Sequence, residues 1–294
     1  MRVLVTGASG HIGWAVVPEL VKAGHEVVGL ARSEASAAAV KALGAEVRRG
    51  DLTDLDGLRE AATETDAVVH LAFDHESMRA GDFAGAADRD LAVVQAFGDA
   101  LAGTGKAFIG IGMGLTGAEN PSLAAANPRF AVGRAVGELT DRGIRSIRIA
   151  IPQVVHSTRD RSGFVPTLIG IARRTGVSGY LGDGTNRWPA VHTKDLARLY
   201  RLALEKAKAG AQLHATTDEG VPVREIAETI GRHLGVQAKS IPSEKAADHF
   251  GYFAPFMTID NAMSSAETRE LLGWEQVHPG LLADLDNGHY FTGE

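Results

Sequence analysis

Three glycines, Gly7, Gly10 and Gly13, separate the short β-branched run Arg2–Thr6 from a helix-compatible run, Trp14-Ala15-Val16-Val17-Pro18-Glu19-Leu20-Val21-Lys22. At this spacing one glycine permits a tight turn, one lets backbone N–H groups approach a pyrophosphate, and one lets the helix pack closely on the strand. The positive end of that helix then holds the anion. Thr6, Gly7, Ser9, Gly10, His11, Ile12 and Gly13 are therefore the candidate dinucleotide-binding residues. The chain has 35 glycines, so their placement between a strand and an amphipathic helix carries the reading. Proton chemistry has a first candidate in His75, whose imidazole titrates near neutrality and which follows a strand; an ordinary loop residue is the alternative.

Bulk properties narrow the choices. The 294 residues can bury a large α/β core, and a net charge of −6 gives no electrostatic case for nucleic acid or an anionic membrane. The chain has no cysteine, which excludes disulfides and thiolate chemistry. Its eleven histidines show no HExxH spacing, so no metal is expected. A GxSxG elbow after a strand is also absent. No run is apolar enough to span a bilayer and the start lacks a signal peptide's pattern, so a soluble cytoplasmic protein is expected.

The elements that must position these residues alternate strand and helix. Strands are expected at Arg2–Thr6, His25–Ala31, Ala45–Arg49, Ala67–Leu71, Ala107–Ile111 and Ser146–Ile151, with a long helix over Asp82–Ala102. That alternation reads as a doubly wound parallel sheet, a Rossmann fold. The second strand ends at Ala31, where an NAD site would place an acid, and Arg32 with Ser33 follow. A cation there suits a 2′-phosphate, so NADPH is expected over NADH. A solvated surface charge is the competing reading of Arg32.

Thr6-Gly7-Ala8-Ser9-Gly10-His11-Ile12-Gly13 resembles the TGxxGxxG fingerprint of the short-chain dehydrogenase/reductase superfamily, in its extended and atypical branches. The resemblance implies that Gly50-Asp51-Leu52 packs on the adenine, with Asp51 reaching its amino group, although Asp51 to Asp56 also suits a helix cap. His70-Leu71-Ala72 resembles the family's step beside the cofactor, which adds Leu71, Ala72 and Phe73. Likeness is interrupted at the catalytic positions. Gly112 stands for the usual Ser, Phe130 for Tyr and Arg134 for Lys. A phenyl ring cannot donate a proton and a guanidinium stays charged. Arg134 and Gly112 keep expected places beside the cofactor; Thr116 is a nearby hydroxyl on another wall.

Likeness resumes with Tyr180-Leu181-Gly182-Asp183-Gly184 and Val191-His192-Thr193-Lys194-Asp195, where Thr193 and Asp195 are expected to cap a helix running to Lys208, and closes with Leu272-Gly273-Trp274. It implies a nucleotide-binding domain of residues 1–151 and about 191–215, and a substrate region of about 152–190 and 216–294. Met113, Phe130, Phe164, Trp188 and Tyr252 are the candidate substrate contacts, and His156, Tyr180 and His249 also fall in the expected cleft, core packing being the alternative for its aromatics. His156 or Tyr252 are further candidates for the displaced proton donor, beside His75. Three functions stay open: an NADPH-dependent reductase of a small, partly apolar carbonyl compound, a non-redox isomerase, lyase or cyclase, and an NmrA-like NADP(H) sensor without turnover. A homodimer through the helices Asp82–Ala102 and Arg129–Asp141 is the family's usual arrangement.

Overall fold

The computed structural model describes residues 1–113 and 128–292, with the side chains of Arg79 and Met113 left aside. Seven strands form one parallel sheet: β1 (Arg2–Thr6), β2 (Glu26–Ala31), β3 (Glu46–Arg49), β4 (Ala67–His70), β5 (Ala107–Met113), β6 (Arg145–Ile151) and β10 (Ala211–His214). Their order is β10-β6-β5-β4-β1-β2-β3. The order reverses between β1 and β4, and open α/β sheets bind ligands at the carboxyl ends of strands at such a switch. The glycine turn leaves the carboxyl end of β1 at that point.

The sheet is buried on both faces, which is why its strands read as near-continuous apolar runs. Side chains alternate between two cores. Val3 and Val5 pack with Val16, Leu20, Leu199 and Tyr200 under α1 (Gly13–Lys22) and the later helix over Thr193–Lys206; Leu4 joins Val68, Phe97 and Phe108 on the other face. That face is covered by α3 (Leu55–Thr63), α5 (Phe83–Leu101) and α6 (Arg129–Glu138). Helix α2 (Glu34–Ala42), at the end of β2, adds Val40 to the first core, and a short helix α4 (His75–Arg79) follows β4.

Past β6 the chain builds a smaller region. A three-stranded sheet has the order β11-β9-β7, from β7 (Val154–His156), β9 (Arg187–His192) and β11 (Asp218–Pro222). A two-stranded sheet pairs β8 (Val177–Leu181) with β12 (Gln237–Ile241). Helices α7 (Phe164–Thr175) and α9 (Val223–Leu234) close a third core around Trp188, Phe250, Phe253 and Met257. Helix α8 (Thr193–Lys206) returns the chain to the main sheet through β10. Its N-cap corrects an expectation: His192 accepts the Lys194 N–H at 3.2 Å. Asp195 instead accepts the N–H groups of Val277 and His278, pinning the C-terminal segment. No helix among the described residues is long and apolar enough to cross a membrane.

Candidate functional site

The glycine turn is closed so tightly that only glycine fits at two of its corners. Gly7 has φ +67°, and a Cβ there would lie 2.8 Å from the Ala72 nitrogen. At Gly13 a Cβ would lie 2.2 Å from the Gly7 carbonyl oxygen and 2.6 Å from that of Ala8. Backbone thus packs on backbone; the N–H groups of Trp14, Ala15 and Val16 are taken by the carbonyls of Gly10 and Ile12, which leaves those of His11, Ile12 and Gly13 for an anion at the positive end of α1. That cradle fits a dinucleotide pyrophosphate. Ser9 and Gly10 are exposed, and Ile12 is half-buried against the core under α1.

Two members of the fingerprint turn inward. The Thr6 hydroxyl is buried and accepts the N–H groups of Leu71 at 3.1 Å and Ala72 at 3.2 Å. Its own proton is left for His70 Nδ1 at 2.7 Å, so His70 presents Nε2–H to Asp90 at 2.9 Å. Thr6 is therefore a clamp joining the ends of β1 and β4, where a cofactor contact was expected. The His11 ring points into the smaller region, with Nε2 2.9 Å from Ser157 Oγ and 2.8 Å from Thr193 Oγ1. It offers the cofactor only its backbone.

At the adenosine end, Arg32 follows β2 with a side chain 70 % exposed and Glu76 3.8 Å away, a pairing weak enough to exchange for a phosphate. Ser33 is the N-cap of α2, exchanging bonds with Ser36, so its hydroxyl is already engaged. Asp54 caps α3, yet Asp51 is also occupied: Oδ1 accepts both the N–H and the hydroxyl of Thr53 at 2.9 Å. An adenine contact falls to its other oxygen. Leu52 is half-buried against the α3/α5 core.

The reaction end lies past β4. Leu71 is buried, Ala72 half-buried, and the Phe73 ring carries Arg129 on its face, with Cζ 4.1 Å from the centroid. Arg129 also pairs with Asp90 at 3.5 Å. His75 opens α4 with its ring 5.1 Å from that of Phe73, edge to face. Phe130 and Arg134 lie on α6, the first half-buried and the second exposed. Gly112 corrects an expectation: a Cβ there would lie 2.7 Å from Arg148 Cγ, so the glycine makes room for Arg148, which bonds the Gly133 carbonyl at 3.1 Å. It is a packing position beneath α6. The Met113 side chain and Thr116 lie outside the described residues.

The remaining candidates separate by burial. Trp188 is 1 % exposed and donates Nε1–H to the Ile259 carbonyl at 3.2 Å, so it is core where a pocket wall was expected. Phe164 is half-buried and packs edge-on against Trp188, Phe253 and Phe256. His156 has 0 % exposure and holds Asp284 at 2.8 Å through Nδ1. Enclosed in this way it has no route to a substrate. Tyr252 stands 73 % exposed on a 3₁₀ turn, its ring against Phe253. Tyr180 lies under Arg224 and His249 against Phe250.

Around His156 burial sets the charge states. Burial, reinforced by His156, pulls His11 down to about 4, and burial and His156 likewise pull His192 to about 4; burial pushes Asp160 up to about 6. Between pH 6.5 and 4 the unfolded histidines bind protons that the folded ones refuse, so stability falls on acidification, by on the order of 2–3 kcal/mol for each. Asp160 acts in the opposite sense, its folded form gaining a proton below pH 6, and offsets part of the loss. Two groups outweigh one: the unfolding midpoint is expected to drop from pH 6.5 to 4, and less steeply in His11→Gln.

Asp90 and His70 were missed, although a carboxylate on the apolar stripe Ala86, Ala87, Asp90, Val93, Val94, Phe97 was a readable sign of a buried partner. Among the described residues no group of three or more His, Asp or Glu side chains could hold a metal ion.

A family described as NAD(P)H-binding matches residues 7–122. The chain is 40% identical over 299 residues to an uncharacterised protein of Schizosaccharomyces pombe, covering 99% of this chain and 100% of that one. It is 26% identical to a 2-alkyl-3-oxoalkanoate reductase of Stenotrophomonas maltophilia, across 80% of this chain and 76% of that enzyme. A solved nucleoside-diphosphate-sugar epimerase from Pseudomonas aeruginosa is similar in fold, with a TM-score of 0.75 at 18% identity over 98% of this chain and 99% of that one.

Proposed function

Because this chain belongs to the short-chain dehydrogenase/reductase superfamily, in its extended, epimerase/dehydratase-like branch, we propose that it is an NADPH-dependent reductase of small, partly apolar carbonyl compounds, with His75 as proton donor. One observation carries the reading: a glycine turn closed backbone on backbone, and a segment carrying Phe73 and the His75 imidazole, leave the carboxyl ends of the neighbouring strands β1 and β4. When bound, the dinucleotide supplies hydride to the carbonyl carbon. The chain does the rest. The turn holds the pyrophosphate, Ala72 leaves room beside it, and Phe73, which carries Arg129 on its face, and the half-buried Phe130 are the rings that would meet an apolar substrate. His75 gives its proton to the carbonyl oxygen as the new C–H bond forms, leaving an alcohol and neutral imidazole. The similarity to an oxoalkanoate reductase supports an acyclic, apolar substrate.

Arg32 is the proposed reader of the 2′-phosphate. Arg32→Ala is expected to weaken NADPH binding about tenfold, the worth of one charge-assisted contact, and to change NADH binding less than about twofold. Incubation with NADPH and a panel of alkyl and aryl ketones tests the activity itself. Oxidation of the cofactor with stoichiometric alcohol supports the reductase. Tight NADPH binding with no carbonyl consumed would favour a cofactor sensor, which the Gly112, Phe130 and Arg134 replacements also suit.

A further inference from the structure

We infer that Arg159, carried by the smaller region, closes over the glycine turn and contacts the pyrophosphate of the bound dinucleotide. The segment from Ser157 to Gly163 joins β7 to α7 and contains both Arg159 and Arg161. It is built rigidly. The Asp160 N–H donates to the Ser157 carbonyl at 3.0 Å, Asp160 Oδ1 accepts the Gly163 N–H at 2.9 Å, and Tyr290 OH donates to Asp160 Oδ2 at 3.2 Å while accepting the Ser157 N–H at 3.1 Å. It is also fastened to the turn itself, through Ser157 Oγ on His11 Nε2.

This fastening sets where Arg159 stands. Its guanidinium carbon lies 5.2 Å from the centroid of the Trp14 ring, on the first turn of α1. Helix geometry makes that end of α1 positive, so a full positive charge is parked beside a partial one. Among the described residues no carboxylate lies within ion-pair distance of the Arg159 guanidinium to offset it. The Trp14 ring gives the guanidinium a modest cation–π attraction, and an anion held at the adjoining glycine turn would add the opposite charge that this contact does not supply. A diphosphate offers oxygens to the N–H groups of His11, Ile12 and Gly13 on one side and to a planar guanidinium on the other. Arg159 thus lets the smaller region register an occupied turn.

The inference rests on dinucleotide binding at the turn and is independent of the reaction. Its test is calorimetric titration of Arg159→Gln and Arg159→Lys with NADPH and with NADH. Both dinucleotides carry the pyrophosphate, so Arg159→Gln is expected to weaken both about tenfold, with Arg159→Lys recovering part of the loss. The side chain is exposed, so the unfolding midpoint is expected to stay unchanged. Unaltered affinities for Arg159→Gln would overturn the assignment, and so would a loss confined to NADPH, which would place Arg159 on the 2′-phosphate. Failure of the unmodified protein to bind either dinucleotide would overturn the cofactor site and this contact with it.

Discussion

Alanine at Gly13 is expected to abolish dinucleotide binding and to destabilise the fold by about 3 kcal/mol or more. The added Cβ would sit 2.2 Å from the Gly7 oxygen, 2.6 Å from the Ala8 oxygen and 2.7 Å from the Ala8 carbonyl carbon. All three atoms are backbone, so no side chain can swing aside. Relief requires opening the turn, which breaks the Gly10 N–H bond to Gly7 O at 2.9 Å and lifts α1 from β1. The cradle is lost with it. Gly170 on α7 supplies the control, since a Cβ there meets nothing within 4 Å. Gly170→Ala is expected to stabilise by about 0.5–1 kcal/mol, by relieving glycine's entropic cost in a helix. Thermal unfolding and NADPH titration of the two variants check both statements; unchanged NADPH affinity in Gly13→Ala would mean that the turn is not the anion site.

The second large effect is at His75. Removing a positioned general acid costs about 10²–10⁴ in rate, and His75→Gln keeps the size and polarity of the side chain without its titratable proton. Turnover of a carbonyl substrate is expected to fall by that factor, while NADPH affinity stays within about twofold, because the turn that binds it is untouched. A variant that keeps full turnover would remove His75 from the chemistry. The ring's neighbours make the assignment specific: Phe73 packs against His75 on one side and carries Arg129 on the other.

Much of this was legible in the chain because the signals are local. The β-branched run, the three glycines and the amphipathic helix fall within the first 22 residues, and each answers to a near-neighbour geometric demand. Strand and helix alternation pointed to the doubly wound parallel sheet. What failed is what depends on distant partners. Asp195 is a sensible helix cap until the segment at 277–278 arrives to take its carboxylate. Gly112 looks like a lost serine until Arg148, from a neighbouring strand, fills the space beside it. His11 reads as a loop residue of the fingerprint, yet its ring meets groups 146 and 182 positions away. Trp188 has the composition of a ligand wall, and only the packing of Phe164 and Phe253 around it shows a core. Aromatic type alone does not distinguish the two.

One titration reaches the central claim most directly: the unmodified protein against NADPH and NADH, followed by energy transfer from its three tryptophans to the dihydronicotinamide. A reductase built on this turn and on Arg32 predicts saturable binding of both, with NADPH tighter by about tenfold. Binding of neither would contradict it and leave a dinucleotide fold reused for non-redox chemistry.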